Sequence, residues 1–172
     1  MLLPERAAVV PIGAPGSGKT TLLARMAAEA GDLGFRHGPD DVRLHAFGTL
    51  GYQGAGQYVH AAARAFFAAR LASGRAAAFD ATNTTRTDRQ RLLALAQRFD
   101  APTVALLFDV SDAELLARND RRPPALRVPA GAMLRFAARA RMVSVEDLHE
   151  EGFDAVHTVL PDTDDRFRLG RS

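Results

Sequence analysis

The sequence contains no cysteine, which excludes disulfide frameworks, zinc–thiolate centres and thiol catalysis together. It also lacks any apolar run of about 18 residues, the length a membrane-spanning helix needs. The first six residues hold Pro4, Glu5 and Arg6 and do not form the basic-then-apolar pattern of an export signal, so a cytoplasmic location is the expectation. Lysine is almost missing: of 22 basic residues only Lys19 is not arginine. Because a guanidinium stays protonated far above neutrality, the pI reaches about 9.6 although the net charge is only +2. The five histidines show no metal-ligand spacing, and no Ser/His/Asp arrangement is present. What remains is a chain of 172 residues, 47% hydrophobic and 24% charged, the balance of one globular domain over 1–172.

Charge is unevenly spread. Residues 118–141 carry seven arginines against one acid, Asp120, whereas residues 142–172 carry eight acids and three arginines. Such a basic segment in a near-neutral chain suits phosphate or nucleic acid, or a solvated helix face.

Apolar runs at 7–12 (AAVVPI), 76–79 and 103–110 (TVALLFDV) read as buried strands, and 154–160 as a last strand. Helical periodicity marks 18–30 and the Ala-rich stretch 55–72, where Phe66 and Phe67 are expected to pack. Residues 31–38 are turn-rich. Capping boxes Thr87-x-x-Gln90 and Ser111-x-x-Glu114 open two further helices. The prolines of 121–129 predict a loop, Pro129 the start of a helix to about Arg141, and Ser144 the cap of a short acidic helix. The polar tail, 161–172, is expected to fray. Alternating strands and helices predict a three-layer α/β fold with a mostly parallel sheet, its ligand at the carboxyl ends of the strands.

Gly13-Ala14-Pro15-Gly16-Ser17-Gly18-Lys19-Thr20 satisfies G-x-x-x-x-G-K-[ST], follows a predicted strand and opens a predicted helix. Glycines let successive amides converge on phosphate oxygens, and the helix N-terminus adds partial positive charge. Lys19 is then the point charge for the β- and γ-phosphates, Thr20 the hydroxyl for Mg²⁺, and Thr21 follows within the same turn.

Two further patterns bear on an acceptor. Asp40 and Arg43 form D-x-x-R, in which a carboxylate takes a hydroxyl proton and an arginine neutralises acceptor charge; Asp41 is the rival base. A helix N-terminus rich in Asp is the structural alternative. Asp80 ends an apolar strand in the manner of a carboxylate that supports Mg²⁺ or its water shell, and Asp109 ends a second such strand. Thr82, Asn83 and Thr84 are placed to line the acceptor site. Arg118 and Arg122, four apart at a helix end, suit a lid (about 118–142) whose guanidiniums meet the transferred phosphoryl group. Tyr52 and Tyr58 flank a Gly-rich stretch and could stack on a base.

GAPGSGKTT, PDDVR, FDATN, RNDRR with RVP, and EGFDAV together resemble the kinase module of polynucleotide 5′-hydroxyl kinases, over about residues 9–160. The resemblance implies a P-loop kinase sheet under a helical lid, ATP as donor with Mg²⁺, and the 5′-OH end of DNA or RNA as acceptor. It implies phosphate and metal binding for Lys19 and Thr20, the general base for Asp40, a contact to the phosphate 3′ of the accepting nucleotide for Arg43, and lid roles for Arg118 and Arg122. Gln53 matches a family glutamine downstream of the base. The polar stretch FRHGP before Asp40 departs from the apolar strand usual there, and neither a phosphatase nor a ligase module accompanies the domain. Kinases of nucleosides, sugars and other small alcohols share the scaffold, as do non-catalytic nucleotide-binding modules. An N-K-x-D element selective for guanine is absent, which favours ATP.

Overall fold

The structure, a computed structural model, describes residues 3–52, 54–161 and 167–171. Its elements run β1 (Ala8–Ile12), α1 (Lys19–Glu29), β2 (Arg36–His37), α2 (Pro39–Phe47), α3 (Gly56–Ala72), β3 (Ala77–Phe79), α4 (Arg86–Arg98), β4 (Thr103–Phe108), α5 (Asp112–Asp120), α6 (Ala130–Arg141), α7 (Val145–Glu151), β5 (Ala155–Pro161) and β6 (Phe167–Arg171). A single 3-10 turn, Pro124–Leu126, interrupts the loop between α5 and α6.

The sheet order is β2-β3-β1-β4-β5-β6. The first five strands are parallel, and β6 pairs antiparallel with β5. The tail expected to fray therefore contains an edge strand over Phe167–Arg171. Backbone pairing along the open edge of β5 supplies what its polar sequence hides.

Alternation along β1 divides the core. Ala8, Val10 and Ile12 pack with Phe67 and Leu71 of α3, Leu92 of α4 and Leu148 of α7. Ala7 and Val9 pack with Leu22, Leu23 and Ala27 of α1. Because β1 is completely buried and flanked by β3 and β4, chain crossovers leave it in opposite directions, and a crevice opens at its carboxyl end. A third cluster, Ala14, Val110, Leu115, Met133 and Ala137, seats α5 and α6 against the loop that follows β1.

Three local expectations change. The cap of α4 is Thr85, which accepts from the Asp88 amide, rather than Thr87, because the helix begins at Arg86. A helix, α2, starts directly at Pro39, after a strand of only two residues. Phe67 is buried as expected, but Phe66 is 58% exposed and packs against His37 in a tilted ring contact at a centroid distance of 4.4 Å.

Candidate active site

The loop between β1 and α1 is shaped by two residues that need left-handed backbone, Gly16 (φ 84°) and Gly18 (φ 100°), the latter being the N-cap of α1. The loop is tied to the segment after β3 by the Gly13 amide, which donates to the Thr82 carbonyl at 3.0 Å. Lys19 is buried and folded into the loop, its Nζ donating to Gly13 O at 2.9 Å, Ala14 O at 2.7 Å and Ser17 Oγ at 3.2 Å. Burial pulls its pKa down to about 8; nearby Asp80 opposes the shift, Arg122 adds to it, and Asp40 opposes it more weakly. A buried ammonium satisfied only by neutral oxygens, in a loop with two left-handed glycines, fits a polyphosphate. The Thr20 and Thr21 side chains stand exposed in the first turn of α1. Among the described residues no three His, Cys, Asp or Glu gather into a metal cage. An exposed hydroxyl at the Thr20 position fits a hard cation that takes oxygen ligands.

Across β3 lies a second arrangement, built from charge. Arg36 Nη2 donates to Asp41 Oδ1 at 2.7 Å, and its Nη1 donates to Asp41 Oδ2 at 3.1 Å and to Asp80 Oδ2 at 2.8 Å. Asp41 Oδ2 also accepts the Gly38 amide at 2.8 Å, which caps α2. Both oxygens of Asp41 are thus engaged. The Asp80 side chain is 7% exposed and held by the same guanidinium. Gly38 sits so close to β3 that a Cβ there would stand 2.1 Å from the Asp80 carbonyl oxygen. That contact requires glycine on steric grounds alone.

Asp40, the neighbour of Asp41 on the same turn, has a different environment. Its side chain is 70% exposed, and Oδ1 accepts from Arg43 Nη1 at 2.7 Å. The Arg43 side chain is 11% exposed, and its Nε is buried without a hydrogen-bond partner. The tight pairing of Asp41 with Arg36 and the openness of Asp40 separate two carboxylates that are adjacent in sequence.

The arginines at the end of α5 meet the loop from the other side. Arg118 Nη1 donates to Gly16 O at 3.3 Å while its Nη2 pairs with Glu114 at 2.5 Å. Arg122 reaches the same glycine, its Nη2 lying 3.8 Å from where a Gly16 Cβ would be. Buried Asn119 pins the loop between α5 and α6: its Nδ2 donates to Val128 O at 2.8 Å, and its Oδ1 accepts from Val128 N at 3.0 Å. Arg141 pairs with Asp112, tying the end of α6 to the start of α5. Asp109 is exposed at the end of β4, on a cavity of about 290 Å³ that also borders Ser17, Arg141 and Thr158. That cavity lies on the β4–β5 side of β1, and Asp40 on the β3 side.

The structure thus brings Asp80, Arg122 and Asp40 each within electrostatic reach of Lys19 and sets Arg118 on the loop itself. Asn83 is less available than its sequence suggested, because its Nδ2 is spent on the carbonyls of Pro11, Phe79 and Ala81. Tyr52 pairs with Phe47 at 4.6 Å, both of them exposed. Gln53 lies outside the described residues. Arg36 was not anticipated, and Asn119 was read only as part of the RNDRR segment. The run Gly38-Pro39-Asp40-Asp41 does carry a helix-start signal, with proline at the first position and an acid at the third. No comparable signal marks Arg36.

Comparisons with known proteins agree with this architecture. A chain of the structure described as the Pnkp1/Rnl/Hen1 RNA repair complex superposes with TM-score 0.68 and 25% identity, over 82% of this chain and 46% of the other. This chain spans 40% of its match in a second Pnkp1/Rnl/Hen1 complex, so it covers under half of either relative. A putative kinase from Chloroflexus aurantiacus gives TM-score 0.57 and 20% identity, over 77% and 75% of the two chains. Chaetomium thermophilum Kti12 in complex with ADP-AlF3 gives 0.65 and 16%, over 92% of both. No curated protein matches. The likeness to the kinase module of polynucleotide 5′-hydroxyl kinases holds at the level of fold and phosphate loop, and residues 9–143 match the family described as AAA domain, to which this chain belongs.

Proposed function

We propose that the protein is an ATP-dependent kinase that transfers the γ-phosphate to a hydroxyl, and that its acceptor is the 5′-OH end of DNA or RNA. The observation that carries the reading is the open Asp40, paired with Arg43, within electrostatic reach of the phosphate-loop lysine. In the reaction the acceptor hydroxyl gives its proton to Asp40 as its oxygen bonds to the γ-phosphorus. The bond from that phosphorus to the β–γ bridging oxygen breaks, and ADP leaves. Lys19 and the loop amides hold the β- and γ-phosphates, while Arg118 and Arg122 meet the charge that spreads over the transferred group. Asp41, committed to Arg36 and to the helix cap, is a poor base. Bound Mg²⁺ would neutralise phosphate charge, held by Thr20 and supported through water by Asp80. The chemistry that selects a nucleic-acid end is the Arg43 guanidinium, whose buried, unpartnered Nε awaits an anion beside the base.

The test is incubation with γ-labelled ATP and a panel of 5′-OH DNA, 5′-OH RNA, nucleosides and sugar alcohols. Label on the oligonucleotides, weakened by salt, is the expected result. Label only on a small alcohol would replace the acceptor, and label on none would leave a nucleotide-binding module.

A further inference from the structure

Beyond Arg43, a second group of cations continues away from Asp40. His60 and Arg64, one helical turn apart on α3, face Arg91 of α4 across a small cleft. The cleft floor is Phe79, Ala81, Thr82 and Asn83 at the carboxyl end of β3. The Thr82 carbonyl in that floor accepts the Gly13 amide, so the cleft shares a wall with the phosphate loop. Asp88 is the one acid on its lining, and it stands 3.6 Å from Arg91 and also bonds Thr85. On the α2 side, Arg43 lies near enough to His60 to repel its protonated form. This pattern has no structural need: none of these cations is buried against a carboxylate in the way Arg89 is against Glu151.

We infer that the α3–α4 cleft is a second anion subsite, in which His60, Arg64 and Arg91 seat a phosphate of the acceptor one nucleotide further from the reacting hydroxyl than the phosphate at Arg43. The inference rests on the kinase reading for its direction and deepens it. It makes the preferred acceptor an oligonucleotide rather than a nucleoside monophosphate. A phosphate here takes charge-assisted hydrogen bonds from two guanidiniums and an imidazole, and the floor positions it without an acid directly beneath.

His60 supplies an independent readout. Its pKa is lowered, first by burial and then by Arg43 and Arg64, against the opposing pull of Asp88 and Asp40. It is therefore neutral in the free protein near neutrality, and an arriving phosphate favours its protonated form. Oligonucleotide binding should then take up a proton and tighten as pH falls.

The experiment uses the full chain and three 5′-OH acceptors: a nucleoside 3′-monophosphate, a dinucleotide with a 3′-phosphate, and a trinucleotide with a 3′-phosphate. Binding is measured without ATP, so that Lys19 and the donor do not enter, and transfer is measured separately. The dinucleotide is expected to bind about tenfold more tightly than the monophosphate, with little further gain for the trinucleotide. Arg64→Gln and Arg91→Gln, each on its own, should bring dinucleotide and monophosphate together, and His60→Gln should flatten the pH dependence. Equal binding of one and two phosphates in the wild type, or an undiminished dinucleotide advantage in both arginine variants, overturns the subsite. If the dinucleotide advantage and its loss in the variants are seen but no phosphate is transferred to any acceptor, the subsite stands and the kinase reading falls.

Discussion

The two sides of the crevice are built by different means. On the phosphate-loop side, eight consecutive residues close a loop around Lys19, and the groups that hold the lysine are Gly13, Ala14 and Ser17, all within six positions of it. On the α2 side, one guanidinium, Arg36, joins Asp41 to Asp80, which is 44 positions away. The phosphate-loop side is local backbone geometry around an ammonium whose hydrogen bonds, among the described residues, go to neutral oxygens. The α2 side is a long-range ion network that engages one carboxylate of a pair and leaves the other open. This difference makes opposite demands: removing the charge should relieve the first structure and damage the second.

The largest effect is expected at Lys19. Lys19→Met should lower ADP affinity by about a hundredfold or more, read by calorimetry, because the point charge on the phosphates is gone. In the nucleotide-free protein the same change should hold or raise Tm, since it removes a desolvated ammonium bonded only to neutral oxygens. A drop of several degrees would mean that the lysine is a structural keystone and would erase the contrast between the two sides.

Next come the paired carboxylates. Asp40→Asn should lower transfer by about 10²–10⁴ while ADP affinity is kept. Asp41→Asn should instead cost about 1–3 kcal/mol in urea unfolding, because it breaks the pair with Arg36 and weakens the cap of α2. If the two variants exchange these effects, Asp41 is the base.

The ion network itself is tested by a double-mutant cycle. Arg36→Met strands the nearly buried Asp80 carboxylate and should cost about 2–3 kcal/mol of stability. Adding Asp80→Asn should recover part of that loss, with a coupling of about 1 kcal/mol or more. Strict additivity would show that the network does not hold α2 in place.

A last effect is a dependence on pH that comes from Lys19 in the phosphate loop. Lys19 titrates at about 8 in the folded, nucleotide-free protein against 10.5 for a free lysine. Below about pH 8 both states carry the proton, and the desolvation penalty is present in full. Between about 8 and 10.5 the unfolded state binds more protons, so stability should rise with pH, by at most about 3 kcal/mol. Chemical denaturation across that window should show the rise in wild type and its disappearance in Lys19→Met.

The same division explains what could be read before any coordinates. The phosphate loop was legible because its spacing is a statement about local backbone, and the structure returns Gly16 and Gly18 with left-handed φ and Lys19 in their midst. Strands β1, β3 and β4 were legible from short apolar runs. The two-residue β2 was not, since Arg36 and His37 are polar and the strand exists only because its backbone pairs with Ala78 and Phe79. Strand β6 was hidden for the same reason, its partner being the open edge of β5. The cap of α4 moved from Thr87 to Thr85 because either threonine has an acceptor three residues on, and only helix packing decides which turn comes first.

From sequence alone came the presence of a phosphate-gripping loop between a strand and a helix, the α/β layering, and the D-x-x-R spacing of Asp40 and Arg43. These depend on interactions that span a few residues, and the order of side chains suffices to specify them. Which of Asp40 and Asp41 stays open, that Asn119 pins the loop between α5 and α6 at Val128, and that α3 and α4 bring His60, Arg64 and Arg91 to one cleft were decided only when distant segments met. Whether an ionisable side chain ends up paired or solvated depends on what the rest of the chain places within about 4 Å of it, and no spacing along the sequence encodes that distance.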